Sequence, residues 1–149
     1  MKAAILTDVT KCIGCNECAI ACKKDNHLAP DLPRMVAGDA PRLRQILEHL
    51  VENAVKYAPP ATRIDVEVSL VEGVVHIAVS DEGPGIPPEW RERVFEPYAR
   101  RDTRTARGSG IGLYAARRLA ESMGARVWCE PAERTGARFV LALPAAAAI

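Results

Sequence analysis

The chain has 149 residues, 48% of them hydrophobic, with 20 lysines and arginines against 19 aspartates and glutamates. That size and composition suit one domain with a real core and exclude wholesale disorder. The balanced charge gives no footprint for nucleic acid; no apolar run is long enough to span a bilayer, and the first residues turn polar too soon for a secretory leader, so a cytoplasmic location is expected.

Cys12, Cys15, Cys18 and Cys22 come first, in the spacing C-x-x-C-x-x-C-x-x-x-C. In a reducing compartment such a run is suited to metal rather than disulfides. The spacing is that of a bacterial ferredoxin loop around a 4Fe–4S cluster, and residues 1–33 resemble the start of two-cluster ferredoxin-type electron-transfer subunits. In those proteins the fourth cysteine of each run ligates the other cluster, and no second run is present. Cys22 closing the site itself, a zinc site, a cluster shared between two copies and free thiols all stay open. Cys129 stands apart. Composition changes near residue 30, and Asp31-Leu32-Pro33 reads as a joint. The expected division is an incomplete ferredoxin-like segment over 1–30 and a larger domain over 31–149.

Beyond the joint the pattern alternates between α and β. A short strand is expected at Arg34–Ala37. Leu43, Leu47, Leu50 and Ala54 make one apolar stripe and predict a helix over 41–57, ended by Pro59-Pro60. Ile64–Leu70 alternates as a half-buried strand, Glu72-Gly73 is a turn, and Val74–Ser80 is a second strand of the same hairpin. A helical turn follows over Pro87–Val94, then a polar, basic loop over Ala99–Arg107. A helix over Ile111–Met123 stops at Gly124. Strands are expected at Ala125–Glu130 and Arg138–Leu143, with a turn at Gly136. This order predicts an α+β fold, a two-layer α/β sandwich with helices on one face of a largely antiparallel sheet.

Three elements carry chemistry. On the first helix His49, Asn53 and Lys56 share a side away from the apolar stripe; an amide oxygen suits Mg²⁺ and an ammonium suits phosphate. A solvated helix face is the plain alternative for these three. Asp81 continues the parity of Val75, Ile77 and Val79, so a carboxylate ends an apolar row and needs a donor such as an adenine amine. Gly83 and Gly85 then let backbone approach a flat base. An ordinary turn after a strand accounts for Asp81 and Gly83, but not for the second glycine followed by Ile86-Pro87. Gly108, Gly110 and Gly112 open a helix whose free N–H groups can bind phosphate. No Gly-Lys-Ser/Thr follows, which excludes a Walker loop.

In this order the segments resemble those of sensor histidine kinases. Leu47–Tyr57 is similar to their N box, Asp81–Pro87 to the first glycine box, Val94–Tyr98 to the F box, and Gly108–Leu113 to the second glycine box. Thr135–Pro144 is similar to their closing strand. The resemblance implies the fold shared with gyrase-type (GHKL) ATPases, a mixed, largely antiparallel sheet backed by helices, with ATP under a lid over about residues 88–107. It implies Asn53 as Mg²⁺ ligand, Lys56 and Tyr57 facing the nucleotide, Asp81 on the adenine amine, and Gly83, Gly85 and Ile86 around the base. Arg100 is expected at the terminal phosphates, and Gly108, Ser109, Gly110, Ile111, Gly112 and Leu113 along the phosphate wall. The implied partners are a phosphoacceptor histidine domain and a response regulator in trans.

Two departures accompany the resemblance. His49 stands where these kinases commonly carry asparagine and the related ATPases a general-base glutamate. None of the three histidines, His27, His49 and His76, sits on a helical hairpin followed by an acidic residue, so no phosphorylation in cis is expected. The expected function is an ATP–Mg²⁺-binding catalytic domain donating its γ-phosphate to a histidine elsewhere. The alternatives are an iron–sulfur redox module coupled to a nucleotide domain, and an ATPase or protein-serine kinase of the same fold.

Overall fold

A computed structural model of the chain describes residues 2–6, 39–100, 109–133 and 135–144. The cysteine run, the expected strand at Arg34–Ala37, Gly108 and most of the Ala99–Arg107 loop lie outside the described residues.

The first helix, α1 (Ala40–Tyr57), starts at Asp39, whose carboxylate accepts from the Arg42 N–H at 3.5 Å, with a proline in the first turn. It ends where Ala58 turns extended ahead of Pro59-Pro60. Its inward row is Ile46, Leu50 and Ala54, all fully buried. Leu43, Leu47 and Val51 pack at the edges of that row. The stripe read from sequence is therefore rotated slightly, because Ile46 rather than Leu47 points at the centre of the sheet.

Strands β1 (Lys2–Leu6), β2 (Asp65–Val71), β3 (Val74–Ser80), β4 (Arg126–Pro131) and β5 (Ala137–Pro144) form one sheet in the order β1-β2-β3-β5-β4. Every pairing among them is antiparallel. The mixed sheet expected from the resemblance is thus replaced, over the described residues, by a purely antiparallel one. β2 and β3 join through Glu72 and Gly73, with φ of 51° and 77°. Two left-handed residues are what a tight hairpin turn matching strand twist requires. Five residues from the segment read with the cysteines extend the sheet at the β2 edge.

Between β3 and β4 the chain makes two 3₁₀ turns, Pro88–Trp90 and Arg93–Phe95, and then α2 (Gly112–Ser122). Ala116 and Ala120 give α2 a flat inner face, so it lies close to α1. Gly124, at φ +67°, ends it, and the Ala125 N–H returns to the Ala120 carbonyl at 2.9 Å. The core lies between the helices and the inner face of the sheet. There Val75, Ile77 and Val79 of β3 meet Phe139, Leu141 and Leu143 of β5, and Phe95 stands edge-on to Phe139. No helix among the described residues is long and apolar enough to cross a membrane.

Candidate functional site

The buried row of β3 runs into a polar group. Val75, Ile77 and Val79 are followed at the same parity by Asp81, 4% exposed and the only buried charged residue described. Its Oδ1 accepts from the Gly83 N–H at 2.8 Å and the Ala137 N–H at 3.3 Å. Its own N–H donates to the Ala137 carbonyl at 3.0 Å. Both hydrogen bonds to the side chain fall on Oδ1. Burial pushes the carboxyl above its ordinary range, and the two N–H donors pull it part of the way back.

Glycines make this arrangement possible. A Cβ on Gly136, at φ +97°, would lie 1.9 Å from the Asp81 carbonyl oxygen. A Cβ on Gly83 would lie 2.8 Å from both Asp81 Oδ1 and the Tyr57 carbonyl. Gly83 is therefore wedged between the end of α1 and Asp81. It sits behind the carboxylate and does not line the cleft in front of it.

That cleft has a volume of about 700 Å³, within the range of small-molecule sites. α1 forms one wall with His49, Glu52, Asn53, Lys56 and Tyr57. Lys56 Nζ lies 5.0 Å from the Tyr57 ring centre. Ser109, Gly110, Ile111, Gly112 and Leu113, entering α2, form the facing wall. Ile111, which precedes the first turn of α2, provides no side-chain cap. The N–H groups of that turn are accordingly placed to meet an anion. Gly110, at φ +71°, accepts from the Tyr98 N–H at 3.0 Å. Asp81, Gly85 and Ile86 lie at the β3 end beside Trp90 and Val94, and Arg100 also borders the cleft.

The structure thus gathers Asn53, Lys56, Tyr57, Asp81, Gly85, Ile86, Arg100 and the Ser109–Leu113 stretch around one space. Sequence reasoning missed Glu52, Pro84, Trp90, Val94, Ala99 and Ala137, and it read Gly136 only as a turn. Among the described residues no group of three or more histidine, cysteine or acidic side chains could hold a metal ion. Cys129 is a buried free thiol in β4.

Residues 38–147 match the model of the histidine kinase-, DNA gyrase B- and HSP90-like ATPase family. The chain belongs to that family. Its relatives within this ATPase family include the swarming motility regulation sensor protein RssA of Serratia marcescens, 36% identical over 94% of this chain and 30% of RssA. The sensor histidine kinase WalK of Bacillus subtilis is 32% identical over 77% of this chain and 20% of WalK. The chain spans less than a third of the length of these curated relatives. The mycobacterial sensor histidine kinase MprB superposes with a TM-score of 0.66 at 29% identity, covering 72% of this chain and 73% of that one. Full-length ShkA, solved in complex with AMPPNP, gives 0.63 at 37% identity over 72% of this chain and 22% of ShkA. The ATPase unit described here is an ATP-binding catalytic domain of the histidine-kinase type.

Proposed function

We propose that the cleft holds Mg²⁺·ATP and that the chain passes the γ-phosphate to a histidine carried by another domain or partner, within a two-component pathway ending at a response regulator. The observation that carries this reading is Asp81, a buried carboxylate with Oδ1 fixed by two backbone N–H groups and Oδ2 left for an amine donor. Adenine supplies that donor, and Gly85 and Ile86 offer it a flat, apolar bed. Asn53 presents a neutral oxygen for Mg²⁺, Lys56 and Arg100 bring positive charge, and the uncapped start of α2 takes phosphate oxygens. The magnesium ion shields the phosphate charge; the residues bind and orient the nucleotide.

The acceptor is placed elsewhere because the described histidines do not suit the task. His76 lies in β3 with its ring 5.8 Å from that of Trp128, and His49 lies inside the cleft. The cysteine run takes no part in this reading. Nucleotide titration with Mg²⁺ tests the pocket. Asp81→Asn and Asn53→Ala should each weaken ATP binding roughly tenfold or more, the scale of a hydrogen bond to a charged group. Parent-like binding by both variants would remove the assignment. Incubation with labelled ATP should leave no acid-labile phosphate on the chain alone, and label should appear on a phosphoacceptor hairpin added in trans. Strong labelling of the chain itself would contradict the trans reading.

A further inference from the structure

The sheet ends, among the described residues, on a strand that complements itself. We propose that β4 is a self-association surface: two copies of the chain pair their β4 strands antiparallel about a two-fold axis through Trp128, so that the two sheets become one. The inference does not depend on what the cleft binds, since no β4 residue lines it.

β4 bonds to β5 on one side and, among the described residues, to no strand on the other. Alternate backbone N–H and C=O groups along such an edge are a template for another strand. Self-pairing about Trp128 sets Arg126 of one copy opposite Glu130 of the other, at both ends of the pair. Val127 and Cys129 meet likewise on the inner face. A two-fold axis normal to the sheet keeps the outer faces of both copies on one side, so both charge pairs form on that face. Arg126 is exposed and makes no ion pair among the described residues. The Glu130 carboxylate is held in place by Arg138 Nε at 3.1 Å. The opposite edge of the sheet lacks this fit: β1 paired with itself about Ala4 would set Lys2 against Leu6.

The outer face of the sheet supplies a second observation. Trp128, Val140 and Ala78 stand side by side across β4, β5 and β3. Ala78 and Val140 are 2% and 3% exposed, although their parity turns them away from the helices. Trp128 is only partly buried, with its ring edge-on to His76 at 5.8 Å. An apolar row therefore stops at the sheet edge on a large aromatic that is not fully covered. A second copy continues the row across the axis, Trp128 against Trp128, with an Arg126–Glu130 pair to either side. Aromatic pairs and opposite charges directly across two strands are the contacts that stabilise a sheet. Two short strands bury little area, so the dimer is weak, with a dissociation constant on the order of 10–100 µM.

The test is sedimentation equilibrium of the full chain over concentrations spanning that constant, for the parent, Arg126→Glu, Glu130→Arg and an equimolar mixture of the two variants. The parent should pass from monomer to dimer. Arg126→Glu sets carboxylates against each other at both ends of the pair and should weaken the dimer roughly tenfold or more, while its melting temperature in dilute solution stays like the parent's. Glu130→Arg should act likewise with guanidinium groups. The mixture should recover the dimer, because each copy then offers the charge the other lacks. If Glu130→Arg folds poorly beside Arg138, Trp128→Cys serves instead. Opposite residues of an antiparallel pair stand about 4.5–5.5 Å apart, so oxidation should link position 128 of one copy to position 128 of the other, as read by peptide mass. A parent that stays monomeric about tenfold above the expected constant overturns the proposal. So does a dimer that Arg126→Glu leaves unchanged, which would place the contact elsewhere.

Discussion

Asp81 sets stability against binding within a single residue. Its carboxyl is pushed up by burial against the pull of the Gly83 and Ala137 N–H groups, so the folded state disfavours the ionised form that the proposed adenine contact would use. A raised folded value means stability that is fully present below the ordinary carboxylate range and lost as pH rises through the raised value. Asp81→Asn keeps an oxygen for the two N–H donors and removes the buried charge. Its melting temperature should equal or exceed the parent's at pH 7, with the difference shrinking toward pH 4, even as ATP binding falls. A variant melting several degrees lower at pH 7 would contradict the burial argument. Gly136 is the less forgiving neighbour. Gly136→Ala drives a Cβ to 1.9 Å from the Asp81 carbonyl oxygen, whereas Gly124→Ala, at φ +67°, meets nothing within 4 Å. Left-handed strain alone costs about 1–2 kcal/mol, so Gly124→Ala should lose that much by denaturant unfolding and Gly136→Ala clearly more. Cys129 offers a further check on the packing. Burial chiefly, helped by Asp81 and Glu130 and opposed by Arg91, pushes its thiol up to about 12. Alkylation at pH 8 should spare Cys129 in the native protein and reach it only after unfolding, as read by peptide mass.

The sheet is held on its outer face by a charge cluster that joins separate elements. Arg138 of β5 donates to Glu67 of β2 at 2.8 Å, Glu130 of β4 at 3.1 Å and Ser80 of β3 at 3.2 Å. One side chain therefore bridges from its own strand to three others. The groups are only partly buried, so solvent screens each pair and the network matters more than any member. Arg138→Met should cost on the order of 1–2 kcal/mol in urea unfolding, with a smaller loss at high salt. A loss independent of salt would point to packing of the stem instead. Most element boundaries were legible because hydrophobic period and turn chemistry agreed: Val74–Ser80 alternates between two turns, and Glu72-Gly73 has the residues a tight hairpin takes. The inner face of α1 was less legible, since Ile46 and Leu47 are equally apolar and only the position of the sheet decides between them.

At the scale of the molecule, four of the places that line the cleft are the length of α1, the end of β3, the entrance to α2 and the start of β5. The first three were legible because each carries an unusual local pattern, an amide on a helix flank or paired glycines after an apolar row. The fourth was not. Ala137 donates to a carboxylate 56 residues away, and nothing local in Thr135-Gly136-Ala137 marks that duty. The need for glycine at 136 arises only once β5 has paired with β3. β1 escaped for a related reason: five ordinary residues become a strand only because β2 offers an edge.

That pairing orders events during synthesis. β5 enters the sheet between β3 and β4, both of which leave the ribosome before it. Until residues 137–144 emerge, β3 lacks one neighbour, β4 lacks its only neighbour among the described residues, and Asp81 lacks the Ala137 N–H that fixes its carboxylate. A nascent chain displaying the helix wall and both glycine turns therefore still lacks the strand that fixes Asp81. If the cleft holds a nucleotide as proposed, a chain ending before residue 137 should bind ATP far more weakly than the full chain, as read by nucleotide titration of the truncated protein.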